Sequence, residues 1–122
     1  MPNSLDKRRK AYQKGHKGEY LAGWALRLKG YRVVAKRFRT KSGEIDIIAR
    51  RGNLIAMVEV KARPTLEQAM DAVSATALCR IEAVGDDWLG KQPDYAKLSI
   101  RYDLMAVLPR RWPIHIVAIH TP

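Results

Sequence analysis

The chain has 122 residues, with 23 Lys and Arg against 12 Asp and Glu for a formal net charge of +11. That length supplies one domain with one core. A hydrophobic content of 47% argues against wholesale disorder, and the lone Cys79 excludes an internal disulfide and a zinc site built of cysteines alone. The charge is uneven: residues 1–41 hold 13 Lys and Arg against Asp6 and Glu19, and the remainder balances. Such a block either meets a polyanion, most often nucleic acid, or serves as a solvated tail and helix face. No apolar run reaches the length of a membrane span, and the N-terminal stretch lacks the apolar segment of a secretory signal. A cytoplasmic protein with no membrane partner is therefore expected.

Residues 1–16 are polar and basic and are expected to form a flexible tail, leaving a single domain over 17–122. From Lys17 to Lys29 the period is helical. Tyr20, Leu21, Trp24, Ala25 and Leu28 form an apolar stripe, and Glu19, Ala22, Gly23 and Leu26 form a second stripe of smaller residues. One stripe is expected to meet a sheet and the other a second helix or a partner, with a homodimer as the simplest closure. Gly30 ends the helix. Strands are predicted over Tyr31–Phe38, Glu44–Arg50, Leu54–Arg63, Leu98–Leu108 and Ile114–Ile119, the third apolar enough to be central. Thr65 caps a helix running to about Leu89, continuous or interrupted, Gln68 standing at the third position of a capping box. The order is α-β-β-β-α-β-β.

Gly52-Asn53 is a two-residue hairpin signal with glycine first, as a type II′ turn requires. In that register, partners sum to 105, so Asp46 lies opposite Glu59 and Glu44 opposite Lys61. A four-residue loop would shift the pairing by two and keep all four on one face. Strict alternation groups Glu44, Asp46 and Ile48 on one face and Ile45, Ile47 and Ala49 on the other. Facing carboxylates repel unless a cation, a shared proton or a basic neighbour intervenes, and Lys61 is such a neighbour. The set suits Mg²⁺ or Mn²⁺, hard ions that take one or two carboxylates together with waters and phosphate oxygens. The competing reading is a salt-bridge cluster on an exposed sheet.

Asp46, then twelve residues, then Glu59-Val60-Lys61 matches the D…(D/E)-x-K pattern of the PD-(D/E)XK nucleases. Around it stand Gly18-Glu19 with Ala22 and Leu26, Gly30-Tyr31, Ser42-Gly43-Glu44-Ile45-Asp46-Ile47-Ile48, Val58-Glu59-Val60-Lys61-Ala62-Arg63, and Arg101-Tyr102-Asp103. In these segments the chain resembles the small YraN-like bacterial family, similar to archaeal Holliday-junction resolvases, over roughly residues 11–120. The resemblance implies an α/β, restriction-endonuclease-like fold, a mixed five-stranded sheet flanked by helices. It implies metal-dependent phosphodiester hydrolysis on structured or branched DNA, with Asp46 and Glu59 as metal carboxylates, Lys61 as the catalytic lysine and Glu19 as an additional helical carboxylate. The sequence departs from the family at Ala75-Thr76-Ala77-Leu78, where relatives often carry a base; Arg80 is the first here.

Lys36, Arg37, Arg39 and Lys41 flank Phe38 just before this constellation and, with Arg63, are the expected nucleic-acid contacts. Arg101 and Asp103 share a face of the fourth strand and are expected to pair structurally. His115 is expected to pack, Trp24 and Trp88 to be core or interface residues, and Cys79 to be a small buried hydrophobe. Two other readings stay open: a binding module on the same fold without turnover, and a basic RNA-binding accessory protein.

Overall fold

A computed structural model describes residues 17–120 of the chain; the segment 1–16, expected as a tail, lies outside them. Helix α1 is described over 17–28. It is followed by β1 (Arg32–Thr40), β2 (Gly43–Arg51) and β3 (Leu54–Ala62), helices α2 (Leu66–Asp71) and α3 (Ala75–Gly90), and strands β4 (Ser99–Val107) and β5 (Ile114–His120). The five strands form one sheet in sequence order, with β3 in the centre. Neighbours run antiparallel except β3 and β4, which are parallel and joined through α2 and α3. This is the mixed, helix-flanked α/β arrangement expected of the restriction-endonuclease-like class. No helix among the described residues is long and apolar enough to cross a membrane.

Alternation along the central strands builds two layers of core. Ala22, Ala25 and Leu26 of α1 pack on Ile47, Ala49, Ala56 and Val58. On the other face Ile81, Val84 and Trp88 of α3 pack on Ile48, Ile55, Met57 and Tyr102. The small-residue stripe of α1 is therefore the one that meets the sheet, because Ala and Gly let the helix approach closely. Tyr20 and Trp24 remain 60% and 45% exposed, and Leu28 is exposed as well. Neither α3 nor β5 covers that aromatic stripe. The helix ends in a Schellman motif: Tyr31 N–H bonds to Leu26 O, Gly30 N–H to Arg27 O, and Gly30 takes φ +90.

The Thr65 cap is present, its hydroxyl accepting from Gln68 N–H. The interruption falls at residues 72–74, where extended Ser74 caps α3 by accepting from Ala77 N–H. Sequence patterning did not single out Ser74, nor the 3-10 turn Tyr95–Lys97. One expected face is corrected: Ile45 joins Ile48 in the α3-side core rather than Ile47 on the α1 side. Alternation fails between them because the strands lose regular pairing at this level. Cys79 is exposed, off the buried stripe Ile81, Val84, Gly85 and Trp88. Trp88 is buried as expected, whereas Trp24 is not part of the core.

Candidate functional site

The β2–β3 ladder runs from Arg51↔Leu54 to Ile47↔Val58 in the register of a two-residue turn. Gly52 takes φ +61, and Asn53 is not among the residues with positive φ, as a type II′ turn requires. Asp46 and Glu59 are the next positions, and there the ladder stops. The Asp46 carboxylate instead accepts the Val60 N–H at 2.8 Å. On the other side of β2, Arg37 faces the same level with φ +51, in a gap of the β1–β2 register. A bulky residue at positive φ is uncommon, and such backbone concentrates at functional sites. Regular β2–β3 pairing thus ends at the level where the two carboxylates stand, while β3 stays paired with β4 through Glu59↔Leu104.

Glu59 is buried, and Lys61 Nζ lies 3.9 Å from its Oε2. Its Oε1 is buried with no hydrogen-bond partner. Burial pushes the Glu59 carboxyl up to about 8; the nearby Asp46 adds to this, while Lys61 and the Asp46 N–H oppose it. Burial also raises Asp46, against the Val60 N–H, and Glu19, the next contributor, raises it further. Glu19 reaches this neighbourhood from the first turns of α1 and accepts from Arg37 Nε at 2.9 Å. The structure therefore brings Asp46, Glu59 and Lys61 together, with Glu19 beside Asp46.

The remaining expected residues divide. Glu44 sits opposite Lys61 in the extrapolated register but pairs with Arg39, at 2.8 Å and 3.1 Å, because the splayed ladder no longer holds it against β3. Arg37 and Arg39, expected as phosphate contacts, each engage a carboxylate. Lys36 and Lys41 are exposed. Arg63 donates to Ala62 O and lines a cleft beyond the ends of β3 and β4. Arg80 lies against the β1–β2 turn, its Cβ near Gly43.

The donor set fits a hard divalent cation. It is made of carboxylate oxygens, one of them buried without a partner, and Mg²⁺ asks for few protein ligands. Among the described residues no three His, Cys, Asp or Glu side chains converge into a ready cage, so Asp46 and Glu59 would leave most positions to water and phosphate.

A second buried acid lies apart from this set. Asp103 takes two bonds from Arg101 at 2.7 and 2.8 Å, one from the Ala118 N–H at 3.0 Å, and lies 2.8 Å from His115 Nε2. Burial raises its carboxyl, but the bonds from His115, Arg101 and Ala118 outweigh that and bring it down to about 2. The Arg101–Asp103 pairing agrees with the sequence. The closing of the pair by His115 and Tyr31 depends on the approach of β5 and on the residue after α1.

Residues 18–107 match the model of a family described as an uncharacterised protein family, UPF0102. The chain is 67% identical over 113 residues to a UPF0102 protein of Chelativorans sp. (strain BNC1), covering 93% of this chain and 91% of that protein. It is 58% identical over 109 residues to one of Mesorhizobium japonicum, covering 89% and 87%. With one of Brucella canis it shares 54% identity over 121 residues, covering 99% and 96%.

Proposed function

The chain belongs to the UPF0102 family, and from that premise and the carboxylates standing where its β2–β3 ladder ends we propose that it is a PD-(D/E)XK-type nuclease, a Mg²⁺- or Mn²⁺-dependent phosphodiesterase acting on structured or branched DNA. The observation that carries the proposal is the buried Glu59 beside Asp46 and Lys61, with one carboxylate oxygen left without a partner. A salt-bridge cluster on an exposed sheet would have no reason to bury that oxygen, since an unsatisfied buried carboxylate is costly.

Asp46 and Glu59 would hold the cation, which when bound supplies polarisation of the scissile phosphate and acidification of a water. The Val60 N–H fixes the orientation of the Asp46 carboxylate, so one oxygen is held by the backbone before any ligand arrives. Lys61, on the same strand, is placed to orient the attacking water or to stabilise charge on the pentacovalent phosphorus. Glu19, held by Arg37, adds a carboxylate from α1.

The test is a cleavage assay with Mg²⁺ or Mn²⁺ on branched, flapped, single-stranded, duplex and RNA substrates, beside Lys61→Ala. Cleavage lost in Lys61→Ala with binding retained supports the proposal. Binding without cleavage by the unmodified chain assigns it instead to a silent nucleic-acid-binding module on this fold.

A further inference from the structure

Beyond the C-terminal ends of the parallel strands β3 and β4 lies a cleft of about 540 Å³ whose lining includes Lys17, Arg63, Arg110, Arg111 and Trp112. It is bounded where α1 meets the sheet: a Cβ placed on Gly18 would lie 3.7 Å from Ala62 and Val107 and 3.8 Å from Val60. Lys17 also lines the neighbouring groove that holds Glu19 and Arg37, so the cleft borders the Glu19 side of the carboxylate set. Arg63 follows Lys61 by two residues, and Lys17 precedes Glu19 by two.

Its chemistry differs from the rest of the basic surface. Among the described residues no carboxylate lines it. Among the described residues none of its four cations forms an ion pair, whereas Arg37, Arg39, Arg50 and Arg101 each do. Trp112 is 54% exposed, an unusual setting for the largest apolar side chain. Arg110 holds φ +59 in the β4–β5 connection, a conformation uncommon for a residue other than Gly. That turn brings Arg110, Arg111 and Trp112 to one cleft. An open aromatic face among cations complements a chain of phosphates whose bases present free π faces. Duplex nucleic acid hides those faces in its stack, and single strands expose them.

We infer that this cleft binds an unpaired stretch of polynucleotide, Trp112 stacking on a base and Lys17, Arg63, Arg110 and Arg111 holding the flanking phosphates. The inference rests on the reading of the neighbouring site as one that acts on nucleic acid, and it specifies the substrate: a strand unpaired beside the position to be cut.

The experiment is metal-free fluorescence anisotropy at fixed salt with a labelled oligodeoxyuridylate, an oligouridylate and a blunt duplex of equal length. The single strands bind in preference to the duplex. Trp112→Ala weakens single-strand binding about tenfold, the scale of one missing base stack, and leaves the duplex unaffected. Trp112→Phe, which keeps a π face, restores most of the loss. Arg110→Ala with Arg111→Ala lowers the log–log salt slope by about 0.7 for each phosphate no longer neutralised. A response from either oligomer supports the inference, and the tighter of the two identifies the sugar. Equal losses on duplex and single strand, or no loss in a Trp112→Ala chain of unchanged melting temperature, overturn it. Single-strand binding through Trp112 without cleavage removes the nuclease and leaves this cleft standing; cleavage of unpaired substrates indifferent to Trp112→Ala does the reverse.

Discussion

Glu59 is the residue on which most depends. Burial first, and Asp46 second, hold its proton to about pH 8 in the folded chain, while an unfolded Glu releases it near 4.5. The sign follows: without metal, this group's contribution to stability is full below about pH 4.5 and is lost as pH rises through about 8. Glu59→Gln should flatten that dependence, read as urea midpoints across the interval. Binding of Mg²⁺ or Mn²⁺ should expel the proton, so apparent affinity should rise by about tenfold per pH unit until about pH 8. Calorimetry in buffers of different ionisation enthalpy reads the released proton, and Glu59→Gln should abolish it. Asp103 has the opposite sign. Its depressed carboxyl contributes stability above about pH 3.8 that is lost as pH falls through about 2. Asp103→Ala leaves Arg101 and His115 facing a void and should cost about 3–5 kcal/mol, measured by denaturant unfolding at neutral pH, with a shallower acid limb than the unmodified chain.

At the scale of elements, α3 is seated by a close approach rather than by bulk. Gly85 faces the sheet, and a Cβ there would lie 2.8 Å from Tyr102 Oη and 3.4 Å from its ring. Tyr102 is buried and its hydroxyl donates to Glu82 O, so it has little room to yield. Gly85→Ala should destabilise by about 1–3 kcal/mol through overpacking. In a Tyr102→Phe background the nearest clash is gone, and the same substitution should cost less. A double-mutant cycle on unfolding free energies measures the difference, and an unchanged cost would mean that the ring rather than the hydroxyl sets the helix position. The short α2 serves another end. With Ser74 restarting the helix, the crossover from β3 to β4 changes direction without a long loop, which the parallel pairing of those strands demands.

The whole molecule concentrates its positive charge in the first third of the chain, and among the described residues there the cations divide into engaged and available. Arg37 and Arg39 serve carboxylates, whereas Lys36 and Lys41 stand exposed on and just after β1. On duplex DNA, Lys36→Ala with Lys41→Ala should lower the salt slope by about 0.9 for each phosphate no longer neutralised. The weakening should be the same for every sequence, because phosphate contacts carry no base information; a sequence-selective effect would contradict this assignment. The exposed stripe of Tyr20, Trp24 and Leu28 is the face on which two copies are expected to pair about a two-fold axis. Sedimentation equilibrium at micromolar concentration should show a dimer that Trp24→Glu dissociates. A monomer throughout would confine each encounter to a single site.

What the sequence determined by itself was local. Gly52-Asn53 set the hairpin register, because a two-residue turn admits one pairing and period-2 alternation ties every later side chain to it. That was enough to put Asp46, Glu59 and Lys61 in one neighbourhood. Gly30 and Thr65 marked helix ends through backbone groups within a few residues of themselves. Cys79, expected to be buried from its residue type, is instead exposed, because it falls off the buried stripe of Ile81, Val84 and Trp88. Other features depended on elements distant in the chain. The ladder opens at Ile47↔Val58, so alternation misplaced Ile45, and Glu44 pairs with Arg39 instead of Lys61. Glu19 found Arg37, and Asp103 found His115, only through the approach of α1 and β5 to the sheet. Charges choose partners by distance in space, and burial is a property of the packed layers; neither is written in the spacing of residues along one strand.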